Sequence, residues 1–360
     1  MQKEILLQYF PKYSYKRYLT LMRVFSSLEN AWEASASELQ QTSWKPEIIE
    51  AFLTFRKNIH EEHIQAELQR ENVTVLTKKS LEYPELLKYI FDPPLCLFLR
   101  GNLENMSLPL AVVGTRKCTS YGIKATEDIV KKLSLSGITI VSGLAMGIDG
   151  IAHKTTLAHK GKTIAVLGSG VDNRSITPTM HVSLAQRILD SGGCLLSEYP
   201  PGTQATRYSF PMRNRIIAGM TLGTLVIEAP EKSGSLITAQ CALESGREIF
   251  SLPQNIYSPT SQGPNKLIQS GAHCITKAED ILNILNIPLP TTKKVSTENT
   301  LSESPLEKKI LSCLALQARH IDEITKEVSQ PSKDILSTLT IMEMRGRIRN
   351  LGGMTYSLLS

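Results

Sequence analysis

The sequence predicts an α/β fold: an extended Rossmann-like parallel sheet domain, with a small N-terminal helical domain before it and a C-terminal winged helix after it. Three observations predict this. Short β-branched runs in the middle of the chain end at Val113-Gly114, Ser142-Gly143, Leu167-Gly168, Ser197-Glu198, Ile227-Glu228 and Leu252-Pro253. Their regular separation leaves room each time for one strand and one crossover helix, the right-handed βαβ unit of a parallel sheet covered on both faces. Before that region, apolar residues recur at near-helical spacing (Leu19, Met22, Phe25; Ile48, Ile49, Phe52, Phe55). After it, three helical patterns lead through Arg345-Gly346-Arg347-Ile348-Arg349 into Met354-Thr355-Tyr356, the order of a winged helix-turn-helix.

Four segments follow in order. Residues 1–60 form the helical domain, resembling a degenerate helix-hairpin-helix; residues 61–288 form the Rossmann-like domain. Residues 289–305 are polar and flanked by Pro288, Pro290 and Pro305, which reads as a linker, and residues 306–360 form the winged helix. No run approaches the roughly 18 apolar residues that span a bilayer, and no basic segment leads into an apolar one at Met1–Phe10, so no membrane is expected and a cytoplasmic location is. The six cysteines (96, 118, 194, 241, 274, 313) form no Cys-x-x-Cys pair, which excludes a zinc ribbon or a disulfide framework and suits a reducing compartment. A net charge of +6 over 360 residues is mild and does not by itself point to nucleic acid.

Ligands of open parallel sheets bind beyond the carboxyl ends of the strands. Gly114-Thr115-Arg116, Gly143-Leu144-Ala145-Met146-Gly147 and Gly168-Ser169-Gly170 all fall there. Each alone reads as a tight strand-to-helix turn; three on one rim favour a phosphate-lined groove of backbone N–H groups and helix N-termini. None is a full Gly-x-Gly-x-x-Gly, so no dinucleotide cofactor is expected. The stretch Thr206–Arg215 (TRYSFPMRNR) holds Arg207, Arg213 and Arg215, no acid, and Tyr208 and Phe210 between them. Guanidinium groups and aromatic rings match the phosphates and bases of single strands; a solvated basic loop with Phe210 in the core is the equal alternative. Ser233-Gly234-Ser235 at a helix start is either an anion site or a cap. Asp149 and His153 lie four apart on a helix, but without a third ligand nearby they predict a helix-capping acid and a packed histidine, not a metal. A Walker lysine and a Gly-x-Ser-x-Gly elbow are both missing, and Glu198 and Glu228 are the carboxylates at strand ends, so no enzyme is expected.

Together these residues resemble the DprA/Smf family. The resemblance runs collinearly through Tyr83-Pro84, Asp92-Pro93-Pro94, Arg100-Gly101, VVGTR (112–116), SGLAMGIDGIAH (142–153), KTIAVLGSGVD (162–172), LLSEYPPG (195–202), FPMRNRIIAG (210–219), EAPEKSGSLITAQCALESGREIF (228–250) and GPNKLIQSGA (263–272). It implies single-stranded DNA binding, homodimer formation and the loading of a RecA-type recombinase in natural transformation or recombination. The implied DNA site is Arg116, Arg207 and Phe210, with Arg213, Asn214, Arg215, Ser233, Gly234 and Ser235 on the same rim. Gly143 and Lys266, from two of the shared motifs, complete the set. The sequence departs from the family pattern at Pro253-Gln254-Asn255 and at Thr177-Pro178, and Phe10-Pro11-Lys12-Tyr13-Ser14 lacks hairpin glycines. The last departure predicts a structural or interaction role for the first segment.

Two rival readings make different demands on the residues. A nucleotide-binding enzyme similar to lysine-decarboxylase-like phosphoribohydrolases would need an acid where this chain has Gln240. A winged-helix transcription factor would bind duplex DNA through its C-terminal residues.

Overall fold

The computed structural model describes residues 1–104, 107–288, 304–314, 317–344, 347–350 and 352–358. The chain divides into two compact units, Met1–Pro290 and Thr291–Ser360. Most of the expected linker, residues 289–303, and Arg345 of the expected wing lie outside the described residues.

The first unit opens with α1 (Lys3–Gln8), α2 (Tyr15–Val24), α3 (Leu28–Glu33), α4 (Ala36–Leu39), α5 (Pro46–Asn58) and α6 (Glu61–Arg70). Ser14, Ser27 and Ser35 cap α2, α3 and α4 by accepting a backbone N–H through the side-chain oxygen. Next come β1 (Thr74–Thr77), β2 (Cys96–Gly101), β3 (Pro109–Val113), α7 (Ser120–Leu135), β4 (Thr139–Ser142), α8 (Ile148–Ala158), β5 (Thr163–Leu167), α9 (Val182–Asp190) and β6 (Cys194–Ser197). The unit ends with α10 (Ser209–Gly219), β7 (Gly223–Val226), α11 (Gly234–Glu244), β8 (Glu248–Ser251), α12 (Gln262–Gln269), β9 (His273–Cys274) and α13 (Ala278–Ile284).

The nine strands make one sheet in the order β1-β2-β6-β5-β4-β3-β7-β8-β9. The seven strands from β3 onward run parallel. On one edge β2 joins β6 antiparallel and β1 joins β2 antiparallel, the extension of the Rossmann core. Strand order reverses between β3 and β7, which places the topological switch point there.

Alternation of side chains sorts the core onto two faces. Leu110 and Val112 of β3 pack on one face with Val130 and Leu133 of α7 and Ile148 and Ala152 of α8. Ala111 and Val113 face the other side, with Ile216 and Ile217 of α10 and Ala239 of α11. The N-terminal helices have no core of their own. Leu6, Leu7, Phe10, Leu21 and Phe52 are continuous with Phe98 of β2, Ala165 and Leu167 of β5 and Ile188 of α9. Tyr9 meets Phe98 edge-on at 6.0 Å, and Gln8 Nε2 donates to the Glu198 carbonyl at 2.9 Å.

The second unit contains α14 (Pro305–Leu314), β10 (Arg319–His320), α15 (Ile321–Val328), α16 (Ser332–Met344), β11 (Ile348–Asn350) and β12 (Thr355–Leu358). Its sheet order is β10-β12-β11, and Ile310, Ile324, Leu339, Met342 and Tyr356 form its core. This is the winged-helix arrangement that the sequence predicts.

His153 lies in α8 and is fully buried, as its helical context predicts. The Thr163 hydroxyl donates to the Ile140 carbonyl and so accepts from His153 Nδ1 at 2.7 Å, leaving His153 Nε2 with no partner among the described residues. Burial, with His181 and Arg213 nearby, holds its pKa down at about 3. The unfolded chain takes up this proton near pH 6.5 and the folded chain does not, so its contribution to stability is lost as pH falls from about 6.5 towards 3. Urea midpoints from pH 7 to 4 should therefore fall more steeply for the unaltered protein than for His153→Gln. Parallel curves would exclude His153 as a source of acid sensitivity.

Candidate nucleic-acid interface

At the switch point the carbonyl ends of β3, β4 and β7 open into a cavity of about 840 Å³. The loop after β3 supplies Gly114, Thr115, Arg116 and Lys117; the turn into α11 supplies Lys232, Ser233, Gly234 and Ser235. The Thr115 N–H donates to the Glu228 carbonyl at 2.7 Å, which ties the two loops across the crevice. From the other side come Arg207, Phe210, Arg213 and Asn214, the last three on one face of α10. Asp149 is the one carboxylate among the described lining residues, against Arg116, Lys117, Arg207, Arg213 and Lys232.

Two of the four exposed cations, Arg116 and Arg207, lie over aromatic rings. The Arg116 guanidinium stands 5.2 Å from the centre of the half-buried Phe210 ring. That of Arg207 lies 4.7 Å over Tyr208, with Nη2 donating to its hydroxyl at 2.6 Å. Stacking leaves the N–H groups in the ring plane available to phosphate oxygens.

Arg213 is placed differently. It is buried, donates from Nη1 to the Val166 carbonyl at 2.6 Å, and is balanced by the buried Asp149. Burial lowers its pKa to about 10, so it stays charged at neutral pH. Asp149 in turn accepts the Gly143 N–H at 3.1 Å; burial raises its pKa and the Arg213 charge opposes that rise. Gly143 therefore does not offer its N–H to a ligand. It lies behind Arg213, where a Cβ would come within 1.9 Å of Nη1, so only glycine fits. The sequence reading placed both on the binding surface; Arg213 lines the cavity from a buried position, and Gly143 is not among the described lining residues.

Ser233 caps α11, its Oγ accepting the Ser235 N–H at 3.4 Å, and Asn214 Nδ2 donates to the Gly234 carbonyl at 3.1 Å. These contacts hold the N-terminus of an 11-residue helix open to the cavity, where unpaired N–H groups favour an anion. Two candidates are elsewhere. Arg215 projects from the opposite side of α10 and pairs with Glu198 at 2.5 Å and Asp92 at 3.6 Å, because one residue beyond Asn214 the helix has turned by about 100°. Lys266 is exposed on α12 beside a separate groove. Conversely, Lys117 and Lys232 line the cavity without having been singled out, and Thr177, noted above only as a departure, lines it too. Lys117 directly follows Gly114-Thr115-Arg116 and Lys232 directly precedes the Ser233 cap, so proximity to those motifs was the available signal.

The strand-end carboxylates are occupied. Glu228 accepts from the Thr119 N–H at 2.9 Å, its hydroxyl at 2.6 Å and the Thr260 hydroxyl at 3.1 Å, and Glu198 holds Arg215. Gln240 is exposed and donates to Glu244 at 2.9 Å. None of the three lines the cavity.

Comparison with known proteins bears on this site. The family model of DNA recombination-mediator protein A matches residues 74–286, and that of the DprA winged helix domain matches residues 294–354. The chain belongs to the DNA recombination-mediator protein A family. It is 38% identical over 323 residues to Protein Smf of Escherichia coli K12, covering 88% of this chain and 85% of that one. The X-ray structure of DNA processing protein A from Streptococcus pneumoniae superposes with a TM-score of 0.67 at 34% identity, covering 79% of this chain and 98% of that one. A Helicobacter pylori DNA processing protein A structure, concerned with that protein's single-stranded DNA binding mode, superposes with a TM-score of 0.53 at 30% identity, covering 59% and 95%. In the segment Pro253-Gln254-Asn255, Gln254 exchanges backbone–side-chain hydrogen bonds of 3.1 Å with Asn265, which brace the loop from within.

Because Phe210 is half-buried, its replacement by alanine should cost less stability than the roughly 3–5 kcal/mol of a fully buried phenylalanine. A ring that stacks on a base should lose about 1–3 kcal/mol of single-strand affinity in the same variant. Thermal unfolding and strand titration of one Phe210→Ala preparation decide the matter. Strong destabilisation with full affinity in the folded fraction would make Phe210 a core residue only.

Proposed function

We propose that the rim cavity binds single-stranded DNA with little sequence preference, and that the protein, as a homodimer, loads a RecA-type recombinase onto the strand without chemical turnover. One observation carries the binding reading: the Arg116 guanidinium sits over the Phe210 ring at the mouth of a cavity with five cations and one paired carboxylate. A single strand presents unstacked bases and phosphates together, which this pairing of ring and cation matches. The proposed contacts are Arg116, Lys117, Arg207 and Lys232 to phosphate, the α11 N-terminus at Ser233–Ser235 to phosphate, and Phe210 to a base. Arg213, Asn214 and Gly143 act behind them as supports. The Helicobacter pylori relative's single-stranded DNA binding mode supports this reading; homodimer formation and the recombinase rest on family membership. Among the described lining residues the one carboxylate, Asp149, is buried and hydrogen-bonded, which favours binding over general acid–base chemistry.

Two outcomes are expected. Arg116→Ala should weaken binding to all sequences alike and reduce the log–log salt slope by about 0.7, the contribution of one single-strand phosphate. An unchanged slope in a folded variant removes Arg116 from the site. Incubation with nucleoside mono- and triphosphates should release neither base nor phosphate above background; turnover abolished by Glu198→Gln or Glu228→Gln would establish the enzyme reading instead.

A further inference from the structure

Three parts of the family resemblance are not used by the rim cavity: Asp92 of Asp92-Pro93-Pro94, Glu198 of LLSEYPPG and Arg215 of FPMRNRIIAG. They meet at a second cavity of about 550 Å³ on the other side of α10, beyond the carboxyl end of β6. The sheet order puts β6 on the same rim as the first cavity, two strands from β4, with the start of α10 between the two openings. Phe210, Arg213 and Asn214 face one cavity, while Met212 and Arg215 face the other.

The far wall comes from the N-terminal helices. Between Glu4 and Glu29 the chain has no acidic residue but has Lys12, Lys16, Arg17 and Arg23, interleaved with tyrosines as Lys12-Tyr13-Ser14-Tyr15-Lys16-Arg17-Tyr18. This is the same pattern of cations and rings that marks Thr206–Arg215. Tyr13, Tyr15 and Lys16 line the second cavity together with Tyr199 and Phe91. The Lys78 ammonium stands 5.6 Å over the Tyr15 ring, and Lys16 is exposed in the first turn of α2. Phe91 is 98% exposed, and Leu19 and Met212 are each 43% exposed around the same opening, so an apolar rim surrounds a polar interior. Within that interior the Tyr13 hydroxyl, Asp92 Oδ1 and Arg215 Nη1 have no hydrogen-bond partner among the described residues. These polar atoms lie beneath the cavity surface, whereas its accessible aromatic walls and exposed cations complement the flat faces of a base and its phosphate.

We propose that this cavity takes a second nucleotide of the same single strand: the strand leaves the rim cavity, crosses the start of α10 and lays a base against Phe91 and Tyr15, with its phosphate on Lys16 and Lys78. The helix it crosses is about 10 Å across, a span that a strand covers in a few nucleotides. This inference rests on the single-strand reading above but uses none of the residues that carry it. It gives the N-terminal helices a DNA-binding role without hairpin glycines.

The test is a titration series with oligonucleotides lengthened one nucleotide at a time. Affinity of the unaltered protein should rise in two steps, the second when the strand first reaches Phe91. The double variant Phe91→Ala/Lys16→Ala removes exposed side chains and so leaves the fold intact. It should lose the second step, about tenfold in affinity, while short strands bind as before. Strands carrying 5-iododeoxyuridine beyond the first step should photo-crosslink to Phe91 or Tyr15. Long-strand affinity unchanged in the double variant would overturn the proposal and return the exposed ring to a protein partner. Equal weakening of short and long strands would also overturn it, because a single site would then include these residues. If the unaltered protein bound no strand of any length, both readings would fall, whereas loss of the second step alone leaves the first intact.

Discussion

A buried guanidinium must be matched in charge and hydrogen bonding, and the match made for Arg213 organises the interface. The cost of taking this cation out of water is met by the Val166 carbonyl at the end of β5 and by Asp149 in the first turn of α8. Asp149 in turn fastens the loop after β4 through the Gly143 N–H. One side chain of α10 thereby sets two strand ends and the start of another helix relative to one another. Asn214, the next residue, extends the same bracing to the start of α11. The rings and cations that remain exposed are consequently displayed from braced supports, and a preorganised surface loses less entropy on binding any ligand.

The start of α10 is the partition of the rim. A helix turns by about 100° per residue, so the run Phe210–Arg215 cannot present all its side chains to one ligand. Phe210, Arg213 and Asn214 fall on the switch-point side, whereas Met212 and Arg215 fall towards β6 and the N-terminal helices. The two arginines flanking Asn214 are both largely buried, one within the field of the Asp149 carboxylate and the other ion-paired with Glu198 and Asp92, yet they brace different neighbours. Arg213 holds the parallel core; Arg215, with Glu198 and Asp92, holds the junction between that core and the loop leading into the antiparallel edge. The edge extension is also what gives the first helices something to pack on. Phe98 of β2 lies among Tyr9, Phe10 and Phe52 rather than in solvent, and the helices and sheet are accordingly one compact unit.

The parallel core was legible because each βαβ unit writes its strand, turn and helix locally in the sequence. The β-branched runs, the glycines after them and the Ser233 cap all report backbone geometry within a few residues. The winged helix was legible for the same reason. The edge strands β1 and β2 were less so: they pair across a long connection, and Cys96–Gly101 shows a nearly continuous buried run instead of a clean alternation, which periodicity alone does not assign.

Composition and local pattern determined that this chain builds a covered parallel sheet, and that basic and aromatic residues gather in Thr206–Arg215 at its rim. Tertiary structure decided what each of those residues does. In sequence Arg207, Arg213 and Arg215 are alike; folded, the first is exposed over Tyr208, the second is buried against Asp149 and the third is turned to Glu198. The partners that separate them are 1, 64 and 17 residues away along the chain. The charge of an arginine is a property of its own atoms, but whether that charge is spent inside the protein or kept for a ligand depends on which distant carboxylate the fold brings to it.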